Sequence, residues 1–73
     1  MLDAAQEMKT LNERIQQTPG DASLYFRLGA LEAGQGRRLE AAAANRAGLA
    51  RNPDARDARR ALDRLTQGAR VAP

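Results

Sequence analysis

The chain has 73 residues, enough for one small domain and too few for a second, since domains run from about 50 to 250 residues. Alanine supplies 16 of its apolar residues, against nine Leu, two Met and one each of Ile, Val, Phe and Tyr, so the core is thin; with neither Cys nor His, no disulfide or common zinc site can staple it. The net charge of +3 is divided unevenly, −2 over residues 1–36 and +5 over residues 37–73, which gives the second half a field suited to acidic proteins, nucleic acid or anionic lipid.

The start, Met1-Leu2-Asp3, lacks the basic region and apolar stretch of a secretory signal. The longest purely apolar run, Ala41 to Ala44, is far shorter than the roughly 20 residues that span a bilayer. A cytoplasmic protein without a membrane span is expected. Pro19-Gly20, Gly34-Gln35-Gly36, Pro53 and Gly68 punctuate the chain, and the intervals between them have helical rather than alternating periodicity. Four helices follow, which predicts an all-α fold.

The first helix runs from about Asp3 to Gln17. Asp3 can cap it, Gln6 stands where a capping box wants Glu or Gln, and Leu2, Ala5, Met8, Leu11 and Ile15 form one stripe. Asp21 can cap the second, which carries Leu24, Leu28 and Leu31 on one side and stops near Gly34. The third runs from about Arg38 to Arg51, with Leu39, Ala42, Ala43, Ala47, Gly48 and Leu49 as its apolar positions, mostly small groups that admit a neighbouring helix closely. The fourth is expected to start at Asp54, with Asp57 in the first turn favouring the helix dipole, and to carry Ala58, Ala61, Leu62 and Leu65 as far as Gly68. Residues 1–68 thus form one helical domain, and residues 69–73 are expected to be a frayed tail.

The sequence matches itself at an offset of 34, which relates Ile15 to Leu49, Pro19 to Pro53, Leu28 to Leu62, Leu31 to Leu65 and Gly34 to Gly68. These residues end helices or fill stripes, so the offset marks a helical repeat in which the first and third helices correspond, as do the second and fourth. Two helices in 34 residues resemble the tetratricopeptide repeat (TPR), whose pattern is met over residues 22–55 by Tyr25, Leu28-Gly29, Gly36, Ala41, Gly48 and Pro53. Residues 1–21 then resemble the second helix of a preceding repeat and residues 56–68 the first helix of a following one. The resemblance implies a short α-solenoid in which Gly29, Ala41 and Gly48 let two helices touch.

The chain departs from that pattern at four positions. Glu32 and Asn45 stand where the family places aromatics, and are expected to point to water, to bond each other, or to meet a polar group of a partner. In the fourth helix Arg59 replaces the aromatic and Asp63 the glycine, in the manner of a polar helix that closes an array.

Without His or Cys, the commonest general base, metal ligand and thiol nucleophile are missing. Ser23, Thr10, Thr18, Thr66, Tyr25 and Lys9 read as structural, Asp54 and Asp57 as cap and first-turn charge rather than metal ligands, and Gly34-Gln35-Gly36 as a helix-to-helix turn without the Lys-Ser/Thr of a P-loop. No catalytic residue, cofactor or metal is assigned. Arg37, Arg38, Arg46, Arg51, Arg56, Arg59, Arg60 and Arg64 make a modest case for nucleic acid, weakened by the interleaved Asp54, Asp57 and Asp63 and by the absence of a base-reading motif.

The resemblance implies a concave face holding another protein's peptide or helix, at Ser23, Phe26, Ala30, Ala33 and Gly34. Phe26 and Ala30 replace the Lys and Asn with which some of these repeats clamp a terminal carboxylate, so an apolar groove is expected instead, with Phe26 either lining it or packing inside the chain. The expected partner-binding residues are Ser23, Phe26, Ala30, Ala33, Glu32, Asn45 and Arg59. The expected function is a non-enzymatic interaction module, a small chaperone, adaptor or accessory subunit in a bacterial-type cytoplasm. A homo-oligomeric assembly protein is the alternative and a basic nucleic-acid binder the third.

Overall fold

The computed structural model describes residues 3–70. Over them the chain is all-α, with α1 (Ala4–Gln17), α2 (Ala22–Gly34), α3 (Arg38–Arg51) and α4 (Arg56–Arg70), and no strand among the described residues. Leu2 and residues 71–73 of the expected tail lie outside the described residues.

Local chemistry accounts for most of the boundaries. The Asp3 carboxylate accepts from the Gln6 backbone N–H at 2.8 Å, and Asp21 accepts from the Ser23 N–H at 3.0 Å and the Ser23 hydroxyl at 2.6 Å, so orphan donors at the starts of α1 and α2 are met. After α2 the chain makes a Schellman turn: Gly36 N–H donates to the Ala33 carbonyl and Arg37 N–H to the Glu32 carbonyl. Gly36 has φ +78°, a left-handed conformation that glycine adopts without steric penalty.

The offset of 34 recurs in the backbone. α1 ends at Gln17 and α3 at Arg51, while α2 begins at Ala22 and α4 at Arg56. The connecting turns share a hydrogen bond, Asp21 N–H to the Thr18 carbonyl in one and Ala55 N–H to the Asn52 carbonyl in the other.

Two expected boundaries of α4 are corrected. Asp54 does not start it: Pro53 and Asp54 form the turn, the Asp54 N–H faces the Asn52 side-chain oxygen at 3.3 Å, and Ala55 takes the place that Asp21 holds before α2. Gly68 does not stop it, because the helix continues to Arg70.

Connections of three or four residues turn each helix back along the one before it. α3 is the spine, packed on α2 along one side and on α4 along another, while α1 packs on α2. The body measures 41 × 28 × 16 Å, a slab too thin to enclose large side chains. Among the described residues the buried apolar ones are accordingly Leu11 and four alanines, Ala41, Ala42, Ala44 and Ala58.

The apolar face expected for α3 is corrected in part: Ala42 and Gly48 are buried as expected, and Leu39 and Ala43 are not. Leu39 is 81% exposed and Ala43 is exposed, whereas Ala41, Ala42, Ala44, Asn45 and Gly48 are buried. These follow i, i+1, i+3, i+4, i+7 spacing, and Leu39, two residues before Ala41, lies about 200° around the helix from it.

One polar cluster joins three segments. The Pro19 carbonyl accepts from the Tyr25 hydroxyl at 2.9 Å and from Arg51 Nε, while Arg51 Nη1 donates to the Ala47 carbonyl and the guanidinium lies 4.2 Å from the Tyr25 ring centroid. The α1–α2 turn, the first turns of α2 and the last turn of α3 are thereby tied together. Arg51→Ala, which removes the hydrogen bonds and the cation–π contact, is expected to cost about 1 to 2 kcal/mol in urea unfolding. Tyr25→Phe should cost about 1 kcal/mol, and the double substitution less than the sum of the two. Strict additivity would show that the residues do not act as one cluster.

Candidate functional site

α2 and α4 both lean on α3, and between them an open groove of about 730 Å³ is left, within the range of ligand sites. Phe26, Gly29, Ala30 and Ala33 of α2 form one wall. Ala58, Ala61 and Leu65 of α4 form the other, and Asn45 of α3 lies between them.

Two glycines set the depth of the groove. A methyl group on Gly29 would stand 2.5 Å from Asn45 Oδ1 and 3.3 Å from the Ala41 carbonyl oxygen, so the α2 backbone there rests on the Asn45 side chain and lies close to the α3 backbone. A methyl group on Gly48 would run into the Phe26 ring. Phe26 therefore rests on the α3 backbone, and, being only partly buried, also lines the groove.

The rim is basic. Among the described residues, Arg38, Arg56 and Arg64 line it against Asp57, an excess of two positive charges beside an apolar floor. Asn45 is the polar exception on that floor. It is 5% exposed, and its Oδ1 lies against Gly29 at the crossing of α2 and α3.

The groove gathers four of the residues expected to bind a partner, Phe26, Ala30, Ala33 and Asn45, and leaves three outside its lining. Ser23 is exposed and engaged with Asp21 at the start of α2. Arg59 is exposed on the outer side of α4, and Gly34 is exposed at the end of α2. Glu32 faces elsewhere: its side chain is 12% exposed, its Oε2 accepts no hydrogen bond, and Arg37 forms an ion pair with it at 3.8 Å. The expectation that Glu32 and Asn45 point to water or bond each other is corrected on both counts, since both are largely enclosed and no hydrogen bond joins them.

The α4 contribution was the part missed by reading the sequence. In the sequence Ala58, Ala61, Leu62 and Leu65 read only as the apolar positions of α4; in the structure Ala58 is buried and, with Ala61 and Leu65, forms a groove wall flanked by Arg56 and Arg64. The available signal was the 34-residue offset itself, which makes α4 the counterpart of α2 and so gives it a place on the same face. A second, smaller depression of about 230 Å³ lies between α1 and α2, lined by Glu7, Thr10, Leu11, Arg14 and Arg27. Among the described residues no group of three or more acidic side chains is placed to hold a metal ion, and no helix is long and apolar enough to cross a membrane.

No protein-family model matches the chain, and no curated protein or solved structure matches it.

Proposed function

We propose that this chain is a non-enzymatic protein-interaction module, a small adaptor, chaperone or accessory subunit that holds a segment of another protein in the α2–α4 groove. The observation that carries this reading is the groove: an open, mostly apolar channel with a partly exposed Phe26 on its wall, in a chain without His or Cys. The 34-residue correspondence of helix ends and the small residues at the α2–α3 crossing support a tetratricopeptide-like arrangement, with Glu32 and Asn45 as its departures. The cytoplasm is the compartment that goes with this reading.

Phe26→Ala tests it. Loss of the anchor should weaken a bound peptide by about 2 kcal/mol or more, with little dependence on salt if apolar burial dominates. A nucleic-acid binder behaves differently, since its affinity falls log-linearly and steeply with salt through phosphate contacts and is indifferent to Phe26. Salt-sensitive binding of duplex or single-stranded nucleic acid, unchanged by Phe26→Ala, would replace the protein-interaction reading.

A second reading, self-association, is favoured by the buried core, whose apolar side chains among the described residues are one leucine and otherwise alanines. Helix-pair repeats need about three copies to be stable alone, and this chain has roughly two. Sedimentation at micromolar concentration is expected to show a dimer or larger species, or a loosely folded monomer. A stable monomer whose melting temperature is high and independent of concentration would remove this reading.

A further inference from the structure

The 34-residue correspondence bears on which surfaces two copies of this chain can share. Inside the chain α2 meets α3 at two close points, the Phe26 ring over Gly48 and Gly29 beside the Ala41 carbonyl. The offset carries Gly48 and Ala41 to Arg14 and Glu7 of α1, and Phe26 and Gly29 to Arg60 and Asp63 of α4. A second copy stacked end to end at the repeat spacing would therefore set its Arg14 against Arg60 and its Glu7 against Asp63. Both points oppose like charges, which disfavours head-to-tail growth.

α1 offers a better match to itself. Glu7 and Arg14 are seven residues apart, almost two full turns, so they lie on one line along the helix, about 10 Å from each other, with Thr10 and Leu11 midway. All four line the depression between α1 and α2, and neither charge has an ion-pair partner among the described residues. Opposite charges at equal distances from a midpoint are self-complementary. In an antiparallel pair of α1 helices related by a two-fold axis through that midpoint, each Glu7 faces the Arg14 of the other copy, and Thr10 and Leu11 meet their own counterparts at the centre.

We infer that two copies of this chain pair antiparallel through α1, Glu7 of each against Arg14 of the other, and that the like charges of α1 and α4 stop growth beyond two. The inference rests on the self-association reading and names its interface. Exposed ion pairs add little energy each, so these set the register of a concentration-dependent dimer. The α2–α4 groove, to which α1 contributes no lining residue, stays open in it.

The chain has no Cys, so Thr10→Cys introduces a single thiol beside the two-fold axis. Under mild oxidation it should link two copies, whereas Arg59→Cys, on the exposed side of α4, should not. In sedimentation equilibrium the parent should dimerise as concentration rises and stop at two. Glu7→Arg and Arg14→Glu each turn both ion pairs into like-charge contacts, so each should weaken the dimer about tenfold or more. Mixed in equal amounts, the two variants again oppose unlike charges, and native mass spectrometry should show a dimer containing one chain of each kind. Thr10→Cys keeps every charge in place, so its outcome does not depend on the charge-reversed chains folding.

Parent dimers that are indifferent to both charge reversals, that fail to re-form from the mixed variants, that link as readily through Arg59→Cys, or that grow into longer species would overturn the inference and leave self-association standing. A parent that stays monomeric at every concentration would also overturn it; if its melting temperature is in addition high and independent of concentration, the self-association reading falls with it.

Discussion

Ala41→Leu is expected to lower the unfolding free energy by about 1 to 3 kcal/mol, as added bulk does in a closely packed site. Ala41 is fully buried, and its carbonyl oxygen lies only 3.3 Å from where a methyl group on Gly29 would stand, so α2 and α3 leave no room for a branched side chain between them. For a domain of this size each kcal/mol moves the melting midpoint by roughly 4–8 °C, a shift that circular dichroism resolves easily. The control is Ala43→Leu on the same helix. Ala43 is exposed, so the same change there should stay within about 0.5 kcal/mol of the parent. Equal losses at the two positions would mean that α3 does not meet α2 through Ala41.

That pair of positions also shows where the sequence is legible and where it is not. Helix limits could be read because they depend on individual residues with individual chemistry: Asp3 and Asp21 as caps, Gly36 in a left-handed turn, and the bounds of α3 at Arg38 and Arg51. The face of α3 could be read only in part: Ala41, Ala42 and Gly48 are buried as expected, while Leu39 and Ala43 are not. Its centre is Ala41-Ala42-Ala43-Ala44, four identical side chains with no contrast from which to read a phase, and Leu39 and Leu49 pull the apparent stripe away from the contact. Leu39 ends up exposed because the alanine side of α3, not its leucine, is narrow enough to lie against α2. Asp54 misled for a related reason: it is a good capping residue placed one position too early, inside a turn whose geometry the offset from Thr18–Asp21 already specified.

The candidate site was half legible. Phe26, Ala30 and Ala33 share a face of α2 by helical spacing alone, and a partly apolar face predicts a groove. The opposing wall depends on how α4 is rotated against α3, a tertiary property that the stripe Ala58, Ala61 and Leu65 does not encode. Asn45 is the instructive case. A polar residue at a position expected to be aromatic reads as an anomaly in sequence, and the structure explains its fit: at 5% exposure Asn45 sets its Oδ1 against Gly29, where an aromatic ring would have no room.

The contact beneath Phe26 yields a change of sign between two backgrounds. In an α-helix, Gly→Ala normally stabilises by about 0.5 to 1 kcal/mol, because glycine loses more conformational freedom on folding. Gly48 lies inside α3, yet a methyl group there would stand 2.6 Å from Phe26 Cδ1 and 3.0 Å from Cζ, so the ring must be displaced toward the groove. In the parent chain Gly48→Ala should therefore cost about 1 to 2 kcal/mol, the strain of overpacking outweighing the helical gain. In a Phe26→Ala background the obstacle is gone, and Gly48→Ala should stabilise by the ordinary helical increment. Urea unfolding of the four proteins measures the cycle directly, and a coupling of about 2 kcal/mol is expected between two residues 22 apart in sequence. Displacement of the ring should also weaken any peptide held against it, so Gly48→Ala and Phe26→Ala should impair the groove alike while differing in stability. If Gly48→Ala has the same effect in both backgrounds, the Phe26 ring does not rest on α3, and the groove loses the wall on which its binding role depends.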